Sequence, residues 1–182
     1  MPRLNEYIAD LLKGMVFVDG ENLAIRYGNL LKKKNVAPKG HVIHIPNVFT
    51  WSFKLNPIPV VDVIRRYYYT SVQGDDPLLA EIDKAIKDAG IEAPRVFRKD
   101  KAKGSKRVDI TLATDMLLHA VRKHYNIAFL VAGDEDYVPL VRAVQSEGAR
   151  VHVWFVSDGI SPALQHAADA FVDLDPFFLE DA

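Results

Sequence analysis

The stretch MVFVDGENL, running from Met15 to Leu23, decides how the rest of the chain is read. Four apolar residues in succession read as a strand covered on both faces, because a strand wetted on one face would alternate apolar and polar. Asp19 ends the run, Gly20 follows, and Glu21–Lys34 has a helical pattern closing on three lysines. Cations belong at that end of a helix, where they meet unpaired carbonyls. Strand, acid, turn and helix in immediate succession open a β-α-β unit.

Moving outward, the same alternation recurs. Ile127–Ala132 (IAFLVA) is a second fully apolar run; it ends in Gly133-Asp134-Glu135-Asp136, and Glu135–Glu147 then reads as a helix stopped by Gly148. Arg65–Val72 (RRYYYTSV), Arg95–Arg98 and Arg150–Val156 read as further strands, and Phe171–Leu174 is strand-like before a short tail. Pro77–Ala89, Val108–Lys123 and Pro162–Ala168 read as helices. Such alternation predicts right-handed crossovers and a parallel sheet between two helical layers. The expected fold is therefore α/β: a three-layer α/β/α arrangement on a mainly parallel sheet of about five or six strands. The opening MPRLNEYIADLLKGM carries Glu6 and Asp10 within its apolar pattern and no cleavage site, so it reads as a short helix and not a signal peptide.

One segment breaks the alternation. Pro38–Val61 is too long for a plain connection and too rich in proline for a helix. Its VIHI and VFTWSF pieces predict a small hairpin over one sheet edge, either an elaboration packing Trp51 on the core or a substrate-facing or dimerising flap. The chain, 1–182, is otherwise expected to be one domain with this insertion at about 38–61 and a short C-terminal tail, at roughly 150 residues per domain.

Composition narrows the function classes. With 49% hydrophobic and 26% charged residues, the chain is too apolar for disorder. It contains no cysteine, which excludes disulfide scaffolds, thiolate zinc sites and cysteine nucleophiles and fits a reducing, cytoplasmic setting. No apolar run approaches the ~20 residues of a membrane span. Lys plus Arg total 23 against 24 Asp plus Glu, a net charge of −1, which argues against coating nucleic acid by bulk charge. It leaves open where the charges sit.

In open parallel sheets, ligands bind beyond the carboxyl ends of the strands. Asp19 falls at one such tip, and Asp134 and Asp136 at another. Gly20 and Gly133 read as sharp turns that leave these side chains facing the crevice. Asp109 shares a helix stripe with Ala113, Met116 and Ala120, where a carboxylate must be paired, protonated or bound to metal. Asp115 lies about 120° farther round, near His119 and Arg122, and reads equally as an ion-paired surface residue. Three carboxylate stations on one sheet edge suit a hard divalent cation, Mg²⁺ or Mn²⁺, and phosphoryl chemistry. Simpler roles stay open for each: Asp19 as a turn residue, Asp134 or Asp136 as helix caps, Asp109 as a partner of the helix dipole.

Beside the Asp109 helix, Arg95, Arg98, Lys99, Lys101, Lys103, Lys106 and Arg107 place seven cations within thirteen residues, opposed only by Asp100. Such a run can hold a phosphate backbone, or be a solvated loop. Tyr67, Tyr68 and Tyr69 could stack bases, although alternation along a strand sends at least one of them to the core.

Taken together, FVDGENL, KRVDITLATDML and LVAGDEDYVPLV resemble the NYN domain, and more closely its LabA-like branch, within the PIN-like nuclease superfamily. The resemblance runs from about Met15 to Val156. It implies a PIN-like Rossmannoid fold and an Mg²⁺- or Mn²⁺-dependent ribonuclease with RNA as partner and no membrane. By position, Asp19 matches the family's first-strand acid, Asn22 its asparagine, Asp109 the acid opening the late helix, and Asp134 and Asp136 the GDxD turn; Asp115 sits where the branch often repeats an aspartate. These matches imply that Asp19, Asp109 and Asp134 hold metal, that Asp136 is a further ligand, and that Asn22 positions a phosphate or water. Arg98, Lys99, Lys101, Lys103, Lys106 and Arg107 would then bind the nucleic acid. Tyr137 stands where phenylalanine is more usual, the 38–61 insertion is longer than the typical linker, and no residue matches the early-helix acid of PIN domains proper. The competing expectation is a noncatalytic RNA-binding or regulatory module on the same fold. A haloacid-dehalogenase-like site would want aspartate where Glu21 stands. A topoisomerase-primase-type site also uses an acid plus a DxD after a strand, and it is the Asp109 station and the FVDGEN context, not GDED alone, that favour NYN. A homodimer is compatible with the sequence and not required by it.

Overall fold

The protein is described as a computed structural model covering residues 12–55, 61–99 and 106–181, with the Lys106 side chain outside that description. The order of elements is β1 (Leu12–Asp19), α1 (Gly20–Lys34), β2 (Val42–Ile45), β3 (Phe49–Ser52), β4 (Val61–Val72), α2 (Asp76–Asp88) and β5 (Ala93–Arg98). Then come α3 (Lys106–Val121), β6 (Ile127–Val131), a 3₁₀ turn (Glu135–Tyr137), α4 (Val138–Ser146), β7 (Arg150–Phe155), α5 (Pro162–Ala167), β8 (Ala170–Asp173) and α6 (Asp175–Leu179).

Six strands form one sheet in the order β5-β4-β1-β6-β7-β8, and every pairing in it is parallel. β1 is central and pairs with β4 on one side and β6 on the other, so its apolar run is buried on both faces. Val16 and Val18 face a core shared with α1, α2, the β2–β3 hairpin and α6, while Met15 and Phe17 face one shared with α3, α4 and α5. The three-layer α/β/α fold anticipated from the sequence is what forms. From β1 the chain builds outward through β4 to β5, then returns to lay β6 against the other side of β1. The loops after β1 and β6 therefore diverge, opening a crevice at the carboxyl end of the sheet.

Local chemistry explains the boundaries. Asp19 caps α1 by accepting the Asn22 backbone N–H at 3.2 Å, and Asn35 ends the helix in the left-handed region with φ 51°. Leu23, Ala24, Tyr27, Leu30 and Leu31 make the buried stripe of α1. Truncating Leu30 to alanine would cost about 2–5 kcal/mol. The helix expected over Glu135–Glu147 is split, because Pro139 supplies the first-turn residue of α4 and leaves Glu135–Tyr137 as a 3₁₀ turn. That turn exposes Asp134, Glu135 and Asp136 and drives Tyr137 inward.

Three expectations need correction. Leu12–Gly14 extend the strand that begins at Met15 in the sequence reading, and are not the end of a helix: Leu12 pairs with Val61, and Lys13 exchanges hydrogen bonds with Asn126. The remainder of that expected helix, residues 1–11, lies outside the described residues. The hairpin in the insertion does form, but it lies on a sheet face over β4, not over an edge. There Tyr68 Oη accepts the Thr50 N–H at 2.9 Å, and Trp51 is buried as the core-packing reading expects. Finally, the buried stripe of α3 is Val108, Leu112, Met116 and Ala120, which sets Asp109 on its shoulder, half-buried. No helix among the described residues is long and apolar enough to cross a membrane.

Candidate active site

β1 delivers Asp19 to the crevice and the loop after β6 delivers Asp134, while the first turn of α3 brings in Asp109. Asp19 is only 3% exposed. Its Oδ1 takes the Asn22 N–H, and its Oδ2 accepts from the Tyr137 hydroxyl at 2.9 Å. The same hydroxyl lies 3.4 Å from Asp109 Oδ1, so a single phenol stands between two carboxylates. Asn22 Nδ2 donates to Asp134 Oδ2 at 3.0 Å, joining the third acid to the first helix. Asn22 Oδ1 is buried and makes no hydrogen bond. Asp136 is exposed and lines, with Asp109, Asp134, Tyr137 and Leu140, a cleft of about 230 Å³.

Among the described residues, negative charge gathers here with no cation ion-paired to Asp19, Asp109 or Asp134. Burial, then repulsion from Asp109 and Asp134, pushes the Asp19 carboxyl up to about 7, against the lowering effect of its two hydrogen bonds. Asp109 is raised as well, first by burial and then by Asp134, Glu21 and Asp136. The Tyr137 phenol is pushed far up by burial and by Asp19 and Asp109, so it stays protonated and remains a donor. Asp134 N-caps the 3₁₀ turn by position but makes no side-chain cap bond, which leaves its carboxylate to Asn22.

The two flanking glycines act differently from the sharp turns expected of them. Neither has a positive φ. A Cβ on Gly20 would fall 1.9 Å from the Tyr68 ring, and one on Gly133 would strike the Phe155 ring and the Gly159 carbonyl. They are needed for close packing under the two acids.

The remaining candidates separate. Asp115 is not in the cluster: Tyr69 Oη donates to its Oδ2 at 2.9 Å, and Arg95 Nε lies 3.9 Å away. Lys99 is ion-paired with Glu21, whose other carboxylate oxygen receives the Ser71 hydroxyl. Arg98 pairs with Asp76, and Arg107 sits over the Phe97 ring at 4.8 Å. Lys101, Lys103 and the Lys106 side chain lie outside the described residues. Tyr67, Tyr68 and Tyr69 are all buried, which removes them as stacking platforms for bases.

Sequence reasoning passed over two contributors. Tyr137 read as a mild replacement for phenylalanine, yet its hydroxyl is the hinge of the acid cluster; a polar atom on an otherwise apolar position was the available signal. Glu21 read only as a neighbour of Asp19, whereas it anchors the start of the basic segment through Lys99.

Does the site suit a divalent cation? The donors are hard oxygens, two of the acids are held above their ordinary range, and Asn22 presents an orphaned buried oxygen, so the set fits Mg²⁺ or Mn²⁺ in kind. Among the described residues, however, no three acidic or histidine side chains form a ready-made metal-binding group. Tyr137 and Asn22 tie the acids in pairs, and these side chains would have to turn for several to face one ion.

The sequence model of the NYN domain matches residues 13–175. Among solved structures, the fold is similar to that of a protein of unknown function from Vibrio parahaemolyticus RIMD 2210633, with 20% sequence identity and a TM-score of 0.65 over 99% of this chain and 100% of that one. At that identity the likeness concerns the fold alone. No protein with curated function matches the chain.

Proposed function

The chain belongs to the NYN domain family, and from that premise we propose that it is a metal-dependent endoribonuclease of the LabA-like branch, cutting RNA phosphodiester bonds at the Asp19–Asp109–Asp134 cluster. The observation that carries the reading is the gathering of three carboxylates at the reversal point of the sheet, with Asp19 pushed up to about 7 and Asp109 raised as well. Perturbed acids in a cleft mark functional sites more often than structural ones.

Asp19, Asp109 and Asp134 would hold Mg²⁺ or Mn²⁺, with Asp136 at the mouth as a further ligand. When bound, the ion supplies Lewis acidity toward the scissile phosphate and eases deprotonation of the attacking water. The protein does the rest. Tyr137 fixes the rotamers of Asp19 and Asp109, Asn22 orients Asp134, and the buried Asn22 Oδ1 is a hydrogen-bond acceptor left unused beside the acids. Asp115, already satisfied by Tyr69 and Arg95, takes no part. Lys99 pins the start of the basic segment next to the acids, so that Lys101, Lys103, Lys106 and Arg107 can meet the phosphate backbone.

The test is incubation of the pure protein with labelled single-stranded RNA and Mn²⁺. Cleavage is expected, with loss in EDTA and in Asp134→Asn while RNA binding persists. RNA bound by the wild type but never cut in Mn²⁺ would instead establish a noncatalytic RNA-binding module. That alternative draws on the acids being tied in pairs rather than caged.

A further inference from the structure

The geometry points to Arg26 as a phosphate contact on the β6–β7 flank of the acid cluster, so that RNA leaving the acids on that side meets a cation held in place. This inference rests on the ribonuclease reading of the same site and adds the path of the substrate across it.

Three observations converge on Arg26. It follows Asn22 by four positions on α1, so the two side chains share one helix face, and Asn22 is bonded to Asp134. Its side chain packs against Gly159: a Cβ there would come within 2.5–2.8 Å of Arg26 Nε, Cδ and Cζ. Gly159 belongs to the loop that seats on Gly133, with Ser161 N–H donating to the Gly133 carbonyl at 2.8 Å, directly before Asp134. Arg26 is thereby held beside the third acid by both its own helix and the loop after β7.

Its charge is also available. Arg26 is half-buried yet makes no ion pair among the described residues, and nearby Asp158 does not pair with it. This contrasts with Arg95, Arg98 and Lys99, each of which has a carboxylate partner. A planar, permanently charged donor set, packed in place and without an acid, suits a phosphodiester oxygen. Gly159 has φ +95°, a conformation that favours glycine, and its lack of a Cβ leaves the space that Arg26 occupies.

Lys99 and Arg26 bracket the cluster. Lys99 stands on the β4–β5 side through Glu21, and Arg26 on the β6–β7 side through Gly159. A strand of RNA laid along the carboxyl edge of the sheet would meet Arg26 beside the third acid, on the side away from the neutralised Lys99–Glu21 pair.

The experiment measures binding of a short, unstructured, labelled RNA in EDTA, where nothing is cut, across a salt series. Arg26→Gln is expected to weaken binding roughly tenfold at low salt and to flatten the plot of log affinity against log salt by about 0.7, one phosphate's worth on a single strand. Arg26→Lys should keep the slope, because a single charge suffices for it, and both variants should melt with the wild type. A purely structural role for Arg26 would give a lower melting temperature with an unchanged slope, and that result overturns the inference. So does an unchanged slope and affinity in Arg26→Gln when the wild type binds RNA. If the wild type binds no RNA at any salt, the ribonuclease reading itself falls, and Arg26's role with it.

Discussion

The two halves of α3 each set an aspartate against a tyrosine hydroxyl from another element, in opposite circumstances. In its first turn Asp109 lies beside a tyrosine hydroxyl, Tyr137, and close to Asp19 and Asp134, with none of the three ion-paired to a cation among the described residues. Farther along, Asp115 also accepts from a tyrosine hydroxyl, Tyr69, but Arg95 closes the arrangement. The second is what a fold does with a carboxylate that it merely accommodates. The first holds charge that the described fold does not cancel, which is costly and is tolerated where a ligand completes it. The largest expected effect follows directly. Asp19→Asn should reduce Mn²⁺-dependent RNA cleavage by on the order of a thousandfold, several kcal/mol of lost transition-state stabilisation, while Asp115→Asn should stay within a fewfold of wild type. Single-turnover cleavage of one RNA by both variants checks this. Equal losses would erase the distinction between the two halves.

Most of the fold and part of this contrast were legible in the sequence, for identifiable reasons. The run Met15–Val18 could belong only to a strand covered twice, and the positions of Asp19 and Asp134 at strand tips followed from chain order. Asp115 was ambiguous because its deciding partners, Tyr69 and Arg95, come from β4 and β5, far away in sequence. Spacing along a helix reveals what shares a face, not what another element places opposite. The same limit hid Tyr137 and Arg26, whose roles depend on Asp19 and Gly159. The hairpin was readable as a hairpin but not in its placement, since what seats it includes the Tyr68 and Thr70 hydroxyls of β4, reaching Thr50 and the Val48 carbonyl from beneath.

The next effect in size is on stability against pH. The Asp19 carboxyl rises from 3.8 in an ordinary environment to about 7 in the fold. Between those values the native state holds a proton that the unfolded chain has lost. Stability from this group is therefore fully present below about pH 4 and is lost as pH rises through 7. Asp19→Asn should remove that slope and raise the melting temperature of the metal-free protein at pH 8 by roughly 4–8 °C, about 2 kcal/mol in a chain of this length. Asparagine can still accept the Asn22 N–H, and its amide can donate to Tyr137. Mn²⁺ should raise the wild-type melting temperature at pH 8 and leave that of Asp19→Asn nearly unmoved. Asp115→Asn should show neither behaviour, and thermal melts across pH 4–8 decide the matter.

The two tyrosines sharpen the comparison further. Tyr137→Phe and Tyr69→Phe each delete one hydrogen bond to a carboxylate, and each should cost about 1–3 kcal/mol in metal-free protein. The losses should differ in how they are repaired. Without its hydroxyl, Tyr137→Phe leaves Asp19 and Asp109 in unrelieved repulsion, which Mn²⁺ would offset, so the deficit should shrink as the ion is titrated. For Tyr69→Phe the deficit should persist at saturating Mn²⁺, because Asp115 lies outside the cluster. Identical responses to the ion would mean that both carboxylates belong to one site.

The smallest expected effect concerns Arg95, which completes the structural half of α3. Its Nε lies 3.9 Å from Asp115, its guanidinium sits 5.4 Å from the centre of the Tyr67 ring, and its side chain is 46% exposed. An ion pair that wet and that long is worth about 0–1 kcal/mol. Arg95→Gln should therefore barely move the melting temperature. It should also leave the salt dependence of RNA binding unchanged, since a guanidinium lying between a carboxylate and a ring is not free to meet a phosphate. Arg26, with no carboxylate partner among the described residues, should flatten that dependence when replaced. A salt slope that falls for Arg95→Gln as well would show that pairing in the free protein does not withhold a cation from RNA. The sorting of cations here would then follow position alone.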